Sequence, residues 1–269
     1  MADAPERRSL LARAWDEAAG GYERYFVPRF APWVAIAVDG LAEAGRPAGL
    51  PLGPILVPCC GTFPELPALV DRHPHRGIVG IDVSAGMVRL ARERAAGQSR
   101  VRVVQDDAAI LDRQWSGACA GVVSVFGLQQ LPDPEVALGE WISALRPGGV
   151  LSVVFWPGEV EQDGPFALLD RVLAGLRPAG DDTWQDRLAG AVTAAGAVVE
   201  RDEYRMFPMD HDDAATFWDA VTSGGHLHAL AIARGEAFMR MVREEFLALA
   251  PTGPWRHRPR ARWILARRR

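Results

Sequence analysis

Short apolar runs, evenly separated by helix-like segments, constrain this chain more than any other feature. Ile55-Leu56-Val57 (after Pro54), Gly77–Ile81, Val101–Val104, Gly121–Phe126 and Val150–Trp156 are runs in which apolar residues do not alternate with polar ones as a half-exposed strand requires. Strands of that kind are covered on both faces, which is the condition of a parallel sheet. Parallel neighbours need long crossovers, and helical segments lie between the runs: Glu65–Arg72, Ala85–Ala96 and a helix opened by Asp133 and Pro134 that extends to Arg146. Ser84 is placed to cap the second of these and Gly97 to stop it. Pro147-Gly148-Gly149 ends the third. Ala197–Met206 and Arg260–Ala266 read as two further strands. The expectation is an α/β fold, a Rossmann-like doubly wound sheet of seven strands.

The remainder reads as helix. Arg7–Ala44 carries Trp15, Tyr22, Tyr25, Phe26, Phe30 and Trp33, and Gly20-Gly21, Pro28 and Pro32 divide it into two or three short helices. Helices are expected at Pro165–Leu176 and Asp182–Ala195, and a helical stretch at Asp212–Ala250. The domain expectation is a helical N-terminal lid over 1–44, a core of 45–210 with 258–269, and a helical cap, 211–257, inserted before the last strand.

Composition narrows the function. The 269 residues are 49% hydrophobic and the net charge is −4, so no global positive field favours a polyanion, and no nucleic-acid partner is expected. All 30 basic residues are Arg, and Lys and Asn are missing from the sequence. The Arg-rich end, Arg256–Arg269, reads either as a nucleic-acid patch or as a final strand whose exposed positions are Arg; the second is preferred. Three cysteines, two of them adjacent, suit a reducing compartment. Met1–Gly20 has the acids Asp3, Glu6, Asp16 and Glu17 and no long apolar stretch, and runs such as Ala31–Val38 and Gly117–Leu128 are too short for a bilayer. The expectation is a cytoplasmic protein, monomer or homodimer, without a membrane segment.

Open α/β sheets bind ligands beyond the carboxyl ends of their strands. Here those ends carry Cys59-Cys60-Gly61, then Asp82, then Asp106-Asp107-Ala108, then Phe126-Gly127. Asp82 follows Gly61 by 21 residues, a spacing suited to a ribose diol. A carboxylate after the third strand suits an exocyclic amine, and together these describe a nucleoside pocket.

Four blocks in this order carry a resemblance: Ile55–Thr62, Val79–Met87, Val103–Ala108 and Leu145–Leu151. The chain resembles the class I S-adenosylmethionine-dependent methyltransferases, in particular the small-molecule type related to the ubiquinone/menaquinone methyltransferases, across roughly Trp15–Trp156. The resemblance implies S-adenosylmethionine as cofactor. It places Cys59, Cys60 and Gly61 beside the methionine part, Asp82 on the ribose, Val83 and Met87 near the adenine, Asp107 on the adenine amine with Ala108 beside the ring, and the Phe126 and Gly127 carbonyls on the ammonium. Tyr22 matches the family's lid and is read either as packing or as closing over the cofactor, where an aromatic face attracts a sulfonium. The family's loop reads acid-x-Gly-x-Gly-x-Gly; here Val57, Cys59 and Phe63 replace the acid and the first and last glycines. A phenyl ring at the last position is expected to narrow the site or redirect the cofactor.

The implied function is methyl transfer by in-line displacement to a small, largely apolar acceptor, in specialised metabolism. The alternatives are a protein that binds the cofactor without methyl transfer, as a rearrangement or cyclisation enzyme, and a non-catalytic binding subunit. Candidate catalytic residues are His211, His226 and His228 in the cap and Gln130 after the fourth strand. His226-x-His228 lacks a third ligand, so no metal is expected.

Overall fold

A computed structural model describes residues 4–46, 49–174, 176, 183–225 and 227–269, with side chains from residue 12 onward. The chain divides into two compact units: residues 1–30, 159–181 and 206–260 form one, and residues 31–158, 182–205 and 261–269 the other.

The second unit holds the sheet. Its strands are β1 (Ile55–Pro58), β2 (Ile78–Asp82), β3 (Val101–Gln105), β4 (Cys119–Val125), β5 (Leu145–Phe155), β6 (Ala197–Met206, whose last residue belongs to the first unit) and β9 (Arg260–Arg268, whose first does). They lie in the order β3-β2-β1-β4-β5-β9-β6. β3, β2, β1, β4 and β5 run parallel, and β9 is antiparallel to β5. The seven expected strands are therefore present. The order reverses between β1 and β4, which puts the switch point where the loops after those strands leave the sheet. α2 (Leu66–Arg72), α3 (Ala85–Arg94), α4 (Pro134–Ala144) and α6 (Trp184–Ala194) are the helices between strands. Ser84 Oγ accepts from the Met87 amide (3.1 Å) and Asp133 Oδ1 from Val136 (3.0 Å), the caps expected of both.

Three local expectations are corrected. The expected breaks in the first helix do not occur: α1 is continuous from Ala4 to Ala44. A proline inside a helix costs about 3 kcal/mol. Against this, Phe26, Phe30, Trp33, Val34, Val38 and Leu41 are buried along it, at about 1.5–3 kcal/mol each. Tertiary burial outweighs local propensity. Second, α4 stops at Ala144, and β5 takes in Pro147-Gly148-Gly149; the register with β4 shifts between Cys119 and Gly121, and that irregularity accommodates the glycines. Third, the segment before the last strand is not wholly helical. It contains α7 (Ala214–Ser223), α8 (His228–Leu249, with Gly235 outside helical geometry at φ 77°) and a two-stranded antiparallel sheet, β7 (Met209–His211) with β8 (Trp255–His257). These belong to the first unit, as does α5 (Pro165–Leu173).

Two of the terminal arginines pair with acids of β6. Arg262 pairs with Asp202 (2.7 Å) and Arg267 with Glu200 (2.6 Å). Arg267 also donates to the carbonyls of Gly148 and Ala44. Among the described residues no helix is long and apolar enough to cross a membrane.

Candidate active site

The loop after β1 departs from the glycine pattern in sequence and keeps it in backbone. Cys59 (φ 53°), Gly61 (φ 53°) and Phe63 (φ 67°) all take the left-handed conformation that glycine adopts without strain. Phe126, at the end of β4, does the same (φ 59°). For an L-residue this costs roughly 1–2 kcal/mol. Strained residues at the two strand ends that flank the switch point mark a place where geometry is held against local preference.

Packing explains what holds it. Phe63 is fully buried, and a Cβ on Gly80 of β2 would sit 2.8 Å from its ring and 2.9 Å from the Cys60 sulfur. The ring therefore occupies the core beneath the loop, and the expected narrowing of the site by Phe63 does not occur. On the other side, a Cβ on Gly127 would lie 2.3 Å from Cys59 Cβ. Gly80 and Gly127 thus provide the close approach that the loop no longer provides itself. Above Gly61 there is space: the nearest atom to a Cβ there is Met87 Sδ at 4.0 Å.

Asp82 ends β2, and its carboxylate accepts from the amides of Gly61 (2.8 Å) and Ser84 (3.0 Å). These two bonds fix the plane of the carboxylate at the mouth of the loop. Val83, next in the chain, is 48% exposed, whereas Met87 behind it is buried. At the end of β3 the Asp107 carboxylate accepts from the Ala109 amide (2.8 Å), and the Ala108 carbonyl accepts from the Trp141 indole (2.8 Å). β2 and β3 pair through Asp82 and Gln105, so the two acids belong to neighbouring strand ends. The Phe126 ring stacks on Trp156 (4.0 Å, 9°), and Trp33 meets both edge-on. The Phe126 carbonyl accepts from Gln129 Nε2 (2.7 Å), and the Gly127 carbonyl from the Gln130 amide (3.0 Å).

The loop is electrostatically acidic. Burial pushes both the Cys59 and Cys60 thiols well above their ordinary range, and the negative charge of Asp82 pushes both further, with Asp107 adding to the effect at Cys59. Neither thiol is a nucleophile at neutral pH. Glu65 is almost fully buried, and burial raises its carboxyl to about 8. Its Oε2 has no hydrogen-bond partner among the described residues. Sequence patterns do not single out Glu65; only its burial does. A loop with an open face at Gly61, a fixed carboxylate at the ribose spacing and a negative field fits a cationic adenosyl cofactor.

The first unit holds the remaining candidates. Tyr22 packs among Trp15, Phe26 and Phe30. His228 is held at both ring nitrogens, by Glu17 (2.9 Å) and by the Thr222 carbonyl (2.9 Å). His226 lies outside the described residues. His211 is buried and sits in a chain of hydrogen bonds with Tyr25, His257 and Glu161.

Comparison with known proteins places this geometry. Residues 55–149 match the family model described as methyltransferase domain. The chain is similar to the demethylmenaquinone methyltransferase of Staphylococcus carnosus (33% identity over 96 residues, 34% of this chain and 38% of that protein). It is also similar to the trans-aconitate 2-methyltransferase of Acidovorax ebreus (30% over 195 residues, 71% of this chain and 65% of that protein). The chain thus spans less than two thirds of the length of either. Among solved structures, the YcgJ protein of Bacillus subtilis shares the fold, with a TM-score of 0.58, 16% identity, and coverage of 87% of this chain and 99% of that one. Residues 55–149 are accordingly a methyltransferase domain of the class I, S-adenosylmethionine-dependent kind, related to the quinone methyltransferases.

Proposed function

We propose that the protein transfers the methyl group of S-adenosylmethionine to a small, largely apolar acceptor in specialised metabolism, working in the cytoplasm without a nucleic-acid partner. The observation that carries this reading is the loop after β1. It holds left-handed backbone at Cys59, Gly61 and Phe63 and delivers the Gly61 amide to the Asp82 carboxylate. When bound, the cofactor supplies an electrophilic methyl carbon on a sulfonium. In this reading Asp82 orients the ribose, Asp107 and Ala108 the adenine, and Val83 and Met87 pack the ring. Cys59, Cys60, Gly61, Phe126 and Gly127 line the methionine part. Residues 1–44, with Tyr22, act as lid and 211–257 as cap. The protein's contribution to an in-line displacement is alignment and exclusion of water, since effective molarity supplies much of the barrier reduction. His211, His226, His228 and Gln130 are the candidates to orient the acceptor.

The reading without methyl transfer rests on Phe63 redirecting the cofactor. With that ring buried against Gly80, it loses its motive and is the less favoured. Calorimetric titration with S-adenosylmethionine and S-adenosylhomocysteine, with Asp82→Ala alongside, tests the proposal. Micromolar binding to the native protein, weakened at least tenfold in the variant, is expected; absence of binding to folded protein overturns it.

A further inference from the structure

Glu65 closes the loop after β1, and three features of it have no account in packing alone. First, it is buried: Thr62 and Phe63 are 0% exposed and Glu65 1%. Second, it stands at the entrance to α2, where a polar side chain ordinarily caps a helix, yet it makes no capping bond. Third, its Oε2 has no hydrogen-bond partner among the described residues. A buried polar atom in that state is rare in a native fold and needs a reason. The strand that feeds the loop sharpens the question. Val57, fully buried, stands where the resembled pattern carries its acid. From Pro54 to Pro64 the chain has no charged residue, and Glu65 is the first acid after them.

The charged and titratable groups around Glu65 come from the loop and from two neighbouring elements, all in the second unit. Arg94 of α3 donates through Nη1 to the Thr62 carbonyl and, at 3.4 Å, to the Thr62 hydroxyl, so its guanidinium is tied to the loop backbone. Asp82 ends β2 and is bonded to the Gly61 amide. The Cys59 and Cys60 thiols are within electrostatic reach. Burial raises the Glu65 carboxyl to about 8, its own amide and then Arg94 offset part of this, and the Asp82 charge adds to it. With these neighbours alone Glu65 keeps its proton at neutral pH.

One more positive charge at the loop changes that balance, because charges interact far more strongly in a buried setting than in water. S-adenosylmethionine carries a sulfonium, and S-adenosylhomocysteine carries a neutral sulfur in the same skeleton. We propose that Glu65 is the acid of the cofactor site, releasing its proton to water when S-adenosylmethionine binds and keeping it when S-adenosylhomocysteine binds, so that the loop tells the charged donor from the neutral product. The inference rests on the cofactor-binding part of the methyl-transfer reading. The proton returns from water once the sulfur is neutral, and no other bond at Glu65 changes. Glu65 balances charge and takes no part in the methyl transfer itself. The sign is fixed by linkage. A ligand that favours the ionised form binds more tightly as pH rises toward the value of the free carboxyl. Preference for donor over product should therefore grow with pH.

The test is calorimetric titration of the full chain with S-adenosylmethionine and with S-adenosylhomocysteine, in buffers of matched pH and different ionisation enthalpy. Glu65→Gln is titrated alongside. Ionisation of the ligands themselves is common to both proteins, so the difference between the proteins isolates Glu65. At about pH 7.5 the native protein should release about half a proton more than Glu65→Gln with S-adenosylmethionine, and no more than the variant with S-adenosylhomocysteine. The donor-to-product affinity ratio, taken relative to the variant's, should rise about fivefold from pH 6.5 to pH 8.5. Infrared difference spectra read the same proton without any affinity. A protonated-carboxyl band should disappear on addition of S-adenosylmethionine, persist with S-adenosylhomocysteine and be missing from Glu65→Gln. A merely structural Glu65 would shift both affinities equally and leave the ratio flat with pH. That outcome, or equal proton release by the two proteins, overturns the inference while the cofactor reading stands. Failure of both ligands to bind folded protein overturns the cofactor reading and the inference with it.

Discussion

Phe63 permits the most discriminating prediction, because its ring and its backbone pull stability in opposite directions. Its side chain is fully buried, and its φ is 67°. Phe63→Ala removes the ring and leaves the strained backbone, so it should cost about 3–5 kcal/mol. Phe63→Gly gives up a further buried methyl and some chain entropy, about 1–2 kcal/mol together, and recovers about 1–2 kcal/mol of left-handed strain. The two variants should therefore lie within about 1 kcal/mol of each other, which is unusual for an Ala–Gly pair in a core. Gly80 provides the cross-check. A Cβ there meets the Phe63 ring at 2.8 Å and the Cys60 sulfur at 2.9 Å, so Gly80→Ala alone should cost about 1–3 kcal/mol by overpacking. In the Phe63→Ala background the ring has gone, the new methyl partly fills the cavity, and the cost should fall by at least 1 kcal/mol. Urea denaturation followed by circular dichroism gives the four corners of the cycle. Calorimetry on the same proteins gives the cofactor affinity, which should change less than tenfold in Phe63→Gly under conditions where the variant is folded. Strictly additive costs, or a variant that keeps native stability and binds the cofactor more than tenfold tighter, would refute the reasoning and put the ring in the ligand's path.

Two further outcomes follow from the same loop. Glu65 is raised by burial to about 8, so between its unfolded value near 4.5 and 8 the folded state holds the proton more tightly than the unfolded chain. Native stability should therefore decline across that window as pH rises, and Glu65→Gln should flatten the decline and exceed the native protein by about 2–5 kcal/mol at pH 8, read from denaturation at pH 5 and pH 8. Gly127→Ala forces a Cβ to 2.3 Å from Cys59 Cβ and should displace the loop, reducing S-adenosylmethionine affinity more than tenfold in a protein whose circular dichroism is native.

The sheet was legible because its determinants are local. Uninterrupted apolar runs, Ser84 and Asp133 as caps, and Pro and Gly as stops each act within a few residues, and they led to the right strands. The first helix was misread for the opposite reason. Pro28 and Pro32 speak for local breaks, while the burial of Phe26, Phe30 and Trp33 is a tertiary fact that the sequence does not display. β7 and β8 were missed because three-residue strands carry no periodicity. At the loop after β1, residue types alone counted Cys59 and Phe63 as losses. The structure locates the compensation in residues of other strands, Gly80 in β2 and Gly127 after β4, where a missing side chain gives the loop room.

That exchange bears on how such a loop is read at all. A glycine pattern records two separate requirements, a backbone angle that glycine adopts cheaply and a close approach that a side chain would block. Here the requirements have come apart. Cys59 and Phe63 meet the angle at a cost of about 1–2 kcal/mol each, while the approach is provided by neighbours. The buried hydrogen-bonded chain of Tyr25, His211, His257 and Glu161 shows the same logic at longer range. Its three contacts join residues 186, 46 and 96 positions apart. No spacing rule connects Tyr25 with Glu161, and His211 stood out in the sequence only as a histidine in the cap. What singles the four out is that burial leaves each polar atom dependent on the next, so that replacing any one strands a neighbour at a cost of about 1–3 kcal/mol.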